Sequence, residues 1–170
     1  MDLHIHPFWI ALLQGLIVGG TLNAIFAFGE EIGWRGFLWN ELKELGFFRA
    51  SFLIGLIWGV WHSPLVVRGY NYPIHPKIGV ILMIVFCILY TPLINYIRVK
   101  TGSVISCAIM HGTINGTGQL AFFLVKGGGD LTVGITGLAG LLVLFIGNVV
   151  LFSVVHRERK VLQEGEYGLQ

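Results

Sequence analysis

Apolar residues dominate the chain in five long runs that contain no Asp, Glu, Lys or Arg. The runs cover residues 8–28, 50–67, 78–97, 103–125 and 131–155. Each holds 18 to 25 residues, and an α-helix needs about 17–25 mostly apolar residues to cross a bilayer. The pattern therefore predicts an all-α, polytopic membrane bundle with about five transmembrane helices.

The segment between the first two runs has a different pattern. In residues 30–45 the apolar side chains recur at helical spacing and form one broad face, with Glu41, Lys43 and Glu44 away from it. Such a pattern is typical of an amphipathic helix that lies at the membrane interface, and Gly46 is a residue type that ends helices. We therefore predict one interfacial helix in addition to the five spans.

Glycine and proline positions predict how two of the spans pack and where one ends. Pro64 cannot donate to the carbonyl of Val60, so the second span is expected to end or kink just after His62. Glycines four residues apart let a neighbouring helix approach closely. Such pairs are Gly15 with Gly19 and Gly55 with Gly59.

Composition supports a membrane protein, and the loop charges predict its orientation. The chain is 55% hydrophobic and 12% charged, whereas soluble domains are about 25% charged. We predict a single membrane domain over residues 1–170, with its motifs within about 25–125 and a cytoplasmic tail at 157–170. Basic residues are more numerous in 29–49, 98–102 and the tail than in the alternate segments. The positive-inside rule then places the N-terminus outside, the C-terminus in the cytoplasm and residues 30–35 near the cytoplasmic face of the cell membrane.

Two adjacent carboxylates and an arginine follow directly after the first apolar run. An ionisable group costs about 2.5–3.5 kcal/mol at the centre of a bilayer, so such groups at a span usually serve a function. In a helix Glu31 faces Arg35, four residues further on. Glu30 points about 100° away from Glu31 and has no partner nearby in the sequence. Glu30 is therefore a candidate general base.

Two more pairs at four-residue spacing occur inside apolar runs, Trp58 with His62 and His111 with Asn115. If they meet Glu30 in one wet cavity, Glu30 and His62 can activate a water molecule. His111 and Asn115 can then donate hydrogen bonds to a developing oxyanion, each worth about 3–4 kcal/mol. This set predicts hydrolysis of an amide bond with water as the nucleophile.

Less specific interpretations of the same residues stay open. The charged residues can be ordinary interfacial groups, and the histidines and asparagine can be interhelical hydrogen-bonding groups. Glu30, His62 and His111 also match the three protein ligands of a catalytic zinc site, although no local two-histidine motif supports one. Cys87 and Cys107 lie inside apolar runs and are expected to be small buried residues.

The three motifs together resemble the CAAX protease and bacteriocin-processing (CPBP) family, which includes Rce1-type CAAX endopeptidases and bacterial Abi-type proteins. The motifs are Glu-Glu-x-x-x-Arg, aromatic-x-x-x-His and His-x-x-x-Asn, in this order on separate helices. They match Glu30, Glu31, Arg35, Trp58, His62, His111 and Asn115. The second motif usually begins with Phe in the family, where this chain has Trp58.

This resemblance implies a glutamate-dependent intramembrane endopeptidase that needs no cofactor. Glu30 and His62 would activate the water, His111 and Asn115 would form the oxyanion hole, and Glu31, Arg35 and Trp58 would support them. An older interpretation of the family makes Glu and His zinc ligands.

The implied partners are a peptide or protein substrate, prenylated or not, and the lipid bilayer, with no indication of nucleic acid. Family members that process prenylated proteins have more spans than the five predicted here, so partner helices or a second copy of the chain are candidates to complete the cavity wall. Two other functions stay open. One is a non-catalytic immunity or scaffold protein that binds peptides in the same pocket, and the other is part of a transporter.

Overall fold

The computed structural model describes the backbone of residues 6–167 and the side chains of residues 6–158. This part of the chain folds into a helical membrane bundle, as predicted. The helices are α1 (Pro7–Leu45), α2 (Phe47–Val66), α3 (Pro76–Thr101), α4 (Val104–Thr117), the single turn α5 (Ala121–Leu124) and α6 (Leu138–Tyr167). Of these, α1, α3 and α6 are long and apolar enough to cross a membrane.

Helix α1 is continuous over 39 residues. Residues 30–45 are helical as predicted and form the last part of α1 rather than a separate helix, and their position at the membrane interface stays a prediction. No proline interrupts the chain here, and α1 contains two wider π-type segments, Gly19–Asn23 and Ile32–Leu38, each with two glycines. It ends where predicted, at Gly46, whose φ of +88° favours glycine.

Helix α2 does not end after His62, so the predicted helix end there is wrong, while the alternative, a kink, stays a prediction. The helix continues through Pro64 to Val66. Pro64 lies in the last turn, where a proline removes a single hydrogen bond to a carbonyl four residues earlier and few further turns depend on it. His62 is consequently held by regular helix on both sides.

The predicted limits of the last two spans are wrong as well. Helix α4 ends at Thr117, before the predicted end at residue 125, and α6 begins at Leu138, after the predicted start at residue 131. The intervening segment folds back on the bundle, with the Ile135 N–H donating to the Gly118 carbonyl at 3.1 Å. Gly134 has a φ of +82°, which suits a turn rather than a helix.

The predicted glycine contacts are confirmed. A Cβ on Gly15 would lie 2.7 Å from the Gly116 carbonyl oxygen, and one on Gly19 would lie 2.7 Å from the Thr113 Cα. In the same way Gly55 of α2 lies against the backbone of Cys87 in α3. These contacts fix α1 against α4 and α2 against α3, which together carry every motif.

The loops 67–75 and 118–137 meet at one end of the bundle, called here the loop end. The Tyr72 hydroxyl donates to the Thr136 carbonyl at 2.6 Å. Asp130 Oδ2 accepts from the N–H groups of Ile74 at 2.7 Å and His75 at 3.0 Å, and its Oδ1 lies 2.8 Å from His75 Nδ1. Burial alone would raise the pKa of Asp130, but these hydrogen bonds outweigh it and hold the pKa below its usual value.

Most of the predicted C-terminal tail is helical, since α6 runs to Tyr167. The rest of the tail at 157–170, residues 168–170, lies outside the described residues.

Candidate active site

A cavity of about 470 Å³ lies between α1, α2, α3 and α4 and reaches the loop end. Five of the seven residues predicted for the site line it: Glu30, Trp58, His62, His111 and Asn115. The other two, Glu31 and Arg35, lie behind the wall and are fully buried. The structure therefore brings the predicted residues of all three motifs together.

Glu30 is half-buried and has a partner that sequence reasoning missed. Its Oε2 accepts a hydrogen bond from Trp58 Nε1 at 3.0 Å. A phenylalanine, the usual family residue at the position of Trp58, has no N–H with which to make this bond. The Glu30 carboxylate is therefore held in place from α2, 28 residues further along the chain.

His62 is buried, and its surroundings fix its tautomer. Its Nδ1 lies 2.9 Å from the backbone carbonyl of Trp58, one turn earlier. A carbonyl oxygen only accepts hydrogen bonds, so Nδ1 must carry the proton. In the neutral ring Nε2 then has a lone pair and is the nitrogen available to accept a proton from water.

His111 is connected to the first motif. Its Nδ1 lies 2.9 Å from Glu31 Oε1, and the same oxygen accepts from Arg35 Nη1 at 3.0 Å. The predicted pairing of Glu31 with Arg35 is confirmed, but Glu31 also orients His111. An ionised Glu31 requires the proton on Nδ1, so His111 can donate through Nε2 only when its ring is protonated.

Arg35 is held by a network inside the bundle. Its Nε donates to Asn95 Oδ1 at 3.1 Å, and Nη2 lies 3.4 Å from Thr91 Oγ1. Asn95 in turn donates to Ser51 Oγ at 3.0 Å. Sequence reasoning missed these partners. Thr91 and Asn95 are polar, lie four residues apart in the apolar run 78–97 and could have indicated a buried polar contact.

Trp58 is the centre of the aromatic packing around the site. Its ring centroid lies 5.2 Å from that of His111, 5.7 Å from that of His62 and 6.0 Å from that of Tyr90. The Arg35 Cζ lies 4.7 Å from the Trp58 ring centroid, a cation–π contact. Trp58 therefore joins both histidines and the buried arginine in one packed unit.

Among the described residues, no group of three or more His, Cys, Asp or Glu side chains is arranged to hold a metal ion. His62 and His111 each use Nδ1 in a protein contact, as zinc-ligating histidines commonly do as well. The zinc alternative with Glu30, His62 and His111 as ligands therefore stays a prediction. Cys87 and Cys107 are free and buried, which agrees with their prediction.

Part of the cavity wall belongs to the loop end, including Tyr70, Asn71 and Thr136. The basic-residue count predicted that the connection with Tyr70 and Asn71 lies outside the cell and that residues 30–35 lie near the cytoplasmic face. The orientation of the bundle and the membrane face nearest the site both stay predictions.

Comparison of the sequence with known proteins assigns the chain to a protein family. The family model "Type II CAAX prenyl endopeptidase Rce1-like" matches residues 6–117, which include all seven predicted site residues. A curated relative named CAAX prenyl protease 2, from Methanococcus maripaludis, is 42% identical over 44 residues. That segment is 25% of this chain and 16% of the relative, so the chain matches only a small part of it. No solved structure matches the chain significantly. The matched span, two thirds of the chain, shows that the protein belongs to the Rce1-like family of type II CAAX prenyl endopeptidases.

Proposed function

We propose that the protein is an intramembrane endopeptidase that hydrolyses a peptide bond with an activated water molecule. The observation that carries this proposal is the shared cavity. Glu30, His62, His111 and Asn115 come from three different helices and line one space. Family membership supports the same reaction class.

The geometry supports a different role in the reaction for each of these side chains. Glu30 and His62 Nε2 hold the water by accepting its hydrogen bonds, and Glu30 takes one proton from it as the water oxygen bonds to the substrate carbonyl carbon. The same proton is returned to the leaving nitrogen when the C–N bond breaks. A positioned general base of this kind contributes about 10²–10⁴-fold to the rate.

Asn115 and His111 are the proposed oxyanion donors. The Asn115 side-chain amide donates without any change of protonation. His111 donates through Nε2 when its ring is protonated, and its Nδ1 is then oriented by Glu31 Oε1 at 2.9 Å. Arg35, held by α3, keeps Glu31 in position for this role.

The proposed substrate is the C-terminal part of a prenylated CAAX protein. Such proteins carry an isoprenoid on the cysteine of a C-a-a-X terminus. Phe26 lines the cavity and is also 80% exposed on the outer surface of α1. The cavity wall is therefore continuous with a surface suited to lipid, which gives the isoprenoid an apolar path to the site.

Cleavage of a fluorogenic farnesylated CAAX peptide by the purified full chain in lipid nanodiscs tests the proposal. Glu30→Gln and His62→Gln should each lower kcat by about 10²–10⁴-fold, while the melting temperature stays close to that of the wild type. The matched controls are Glu41→Gln and His156→Gln, since both residues are exposed and lie outside the cavity.

Two results would contradict this assignment. One is wild-type kcat in either site variant. The other is equal peptide binding by the wild type and Glu30→Gln with no cleavage by either, as expected for a non-catalytic scaffold. An unprenylated peptide of the same sequence, run in parallel, tests whether the isoprenoid is required.

A further inference from the structure

A second, smaller space lies at the end of the bundle opposite the loop end. It has a volume of about 240 Å³ and lies between the end of α1, the start of α2, the end of α3 and the C-terminal half of α6. It is called here the basic groove, because Lys43 lies on its wall. Pockets that enclose a whole drug-sized ligand hold about 300–1,000 Å³. The groove therefore suits a headgroup whose remainder stays outside.

Three aromatic side chains line the groove, Trp39, Phe47 and Tyr96. Tryptophan and tyrosine are enriched where a membrane meets water. Beside the groove, Phe152 of α6 is 57% exposed and packs on Phe48 of α2, with ring centroids 5.4 Å apart. Phe152 is nearer the middle of this spanning helix than the groove is. The acyl chains of a lipid with its headgroup in the groove would therefore meet an apolar surface.

The charged side chains at the groove leave one cation without a counter-ion. Glu158 Oε1 lies 2.7 Å from Lys100 Nζ and accepts a hydrogen bond from the Tyr96 hydroxyl at 3.1 Å. The charges of Glu158 and Lys100 therefore compensate each other. Lys43 is exposed and forms no ion pair with any described residue. In this part of the chain the groove therefore has a net positive charge.

Further basic residues surround the groove. Among the described side chains at this end of the bundle, the basic ones outnumber the acidic ones: Lys43, Arg49, Arg98, Lys100 and Arg157 against Glu41, Glu44 and Glu158. The positive-inside rule predicts that this end lies in the cytoplasm, and the cytoplasmic leaflet carries anionic lipids. Basic pockets between helices on that side bind the headgroups of such lipids. Charge complementarity therefore favours an anionic lipid as the occupant.

We propose that the basic groove binds the headgroup of an anionic phospholipid of the surrounding bilayer, with the phosphate on Lys43 and the acyl chains along Phe48 and Phe152. A lipid bound there contacts four helices and holds the end of α1 against α3 and α6. A ligand that binds only the folded chain stabilises it in a concentration-dependent way. This inference is independent of the proposed peptidase function, since it concerns a different space and its test involves no cleavage.

Titration of the purified full chain with dioctanoylphosphatidylglycerol in an uncharged detergent tests the groove. The rise in melting temperature with lipid concentration gives Kd. The wild type should bind this lipid at least about tenfold more tightly than dioctanoylphosphatidylcholine, and glycerol 3-phosphate at the same concentration should not stabilise the chain. Lys43→Gln should raise Kd by about five- to tenfold. The matched control, Arg49→Gln, removes an exposed cation at the same end that does not line the groove, and its Kd should stay within about twofold of the wild type.

The pair Lys100 and Glu158 gives a test of charge with the opposite sign. Glu158→Gln leaves Lys100 as a second uncompensated cation beside the groove, so Kd for phosphatidylglycerol should fall by about fivefold. A zwitterionic lipid would instead place its ammonium group on Glu158, and the same variant would then bind more weakly.

Filling the groove tests the site without changing its charge. Val99 lines the groove and is 52% exposed, so a larger side chain at this position occupies the space of the headgroup. Val99→Trp should raise Kd at least about tenfold. Ile105→Trp is the matched control, because Ile105 is 61% exposed and lies outside the groove. Each Kd comes from the shift relative to the same variant without lipid, so a change in intrinsic stability does not alter the comparison.

Four results would overturn the proposal. Equal Kd values for the two lipids, or an effect of Lys43→Gln no larger than that of Arg49→Gln, would show only general attraction to the surface. Stabilisation by glycerol 3-phosphate equal to that by the lipid would show a site for free anions. Weaker binding of phosphatidylglycerol by Glu158→Gln would show that the carboxylate contributes to binding. A Kd of Val99→Trp equal to that of Ile105→Trp would show that the lipid does not occupy the groove.

Discussion

At the scale of single residues, the adjacent glutamates Glu30 and Glu31 have different surroundings and different proposed roles. Glu31 is buried between Arg35 and His111, whereas Glu30 faces the cavity and is held by Trp58. The pairing with Arg35 could be predicted, because four-residue spacing places side chains together on a helix. The bonds from Glu30 to Trp58 and from Glu31 to His111 could not, since they depend on how α1 is rotated against α2 and α4.

Replacing Trp58 tests whether this bond positions Glu30. Trp58→Phe keeps an aromatic ring but removes the N–H that Glu30 accepts. A hydrogen bond to a charged group is worth about 1.5–3 kcal/mol, so we expect kcat to fall at least about tenfold with KM little changed. Steady-state cleavage of the farnesylated peptide measures this, with the exposed Trp9→Phe as control. An unchanged kcat would show that Glu30 does not depend on Trp58.

Arg35 should contribute more to stability than any exposed arginine. Arg35→Met leaves Glu31 buried without its cationic partner, which costs about 3–5 kcal/mol. We expect a clear drop in melting temperature, partly recovered in the Glu31→Gln/Arg35→Met double variant, because that variant has no buried charge at this pair. The exposed Arg49→Met is the control. A melting temperature of Arg35→Met equal to that of the control would contradict a buried ion pair.

At the scale of elements, hydropathy predicted the existence of helices better than their limits. The segment between Thr117 and Leu138 is apolar enough to be counted into two spans, yet it folds back and builds part of the cavity wall. Runs of uncharged residues cannot distinguish a span from a loop that is buried against protein. The glycine spacing predicted the helix contacts correctly, because a glycine has no Cβ and lets a neighbouring helix approach closely.

Replacing one glycine at the contact between α1 and α4 with alanine should therefore disrupt the packing of the two helices. A Cβ on Gly112 would overlap the backbone of Ala24 and the carbonyl of Gly19. Gly112→Ala should lower both the melting temperature and kcat, because α1 carries Glu30 and α4 carries His111. Gly33→Ala is the matched control, since nothing lies within 4 Å of its added Cβ. Equal melting temperatures for the two variants would contradict the close packing.

The Asp130 contacts predict a pH-dependent stability of the loop end. Because hydrogen bonds hold the pKa of Asp130 below its unfolded value, the stabilisation is complete above the unfolded pKa of about 4 and is lost as pH falls through the folded pKa. Wild type should melt above Asp130→Asn at pH 7, and the difference should shrink below about pH 4. Thermal unfolding from pH 3 to pH 7 measures this, with Glu44→Gln as exposed control. A pH-independent difference would contradict the assignment.

At the scale of the whole molecule, close helix contacts bring the residues of the three sequence motifs to one place. Glu30 and Asn115 are far apart in the chain, yet both line the cavity, and α1 packs closely on α4. His62 reaches the same cavity from α2, which packs on α3. A hydropathy profile shows neither contact, and the loop end was missed because its residues belong to no motif.

The most direct test of the account is a double-variant measurement on Glu30 and His62. If both groups activate the same water molecule, removing the second should cost little once the first is gone, as found for catalytic groups that act as a unit. We predict that kcat of Glu30→Gln/His62→Gln, measured on the farnesylated peptide, lies within about threefold of the slower single variant. The contrary result is a further fall in kcat below the slower single variant, as large as the fall that the other substitution causes on its own. It would show that the two residues act independently, and would contradict a shared hydrolytic site.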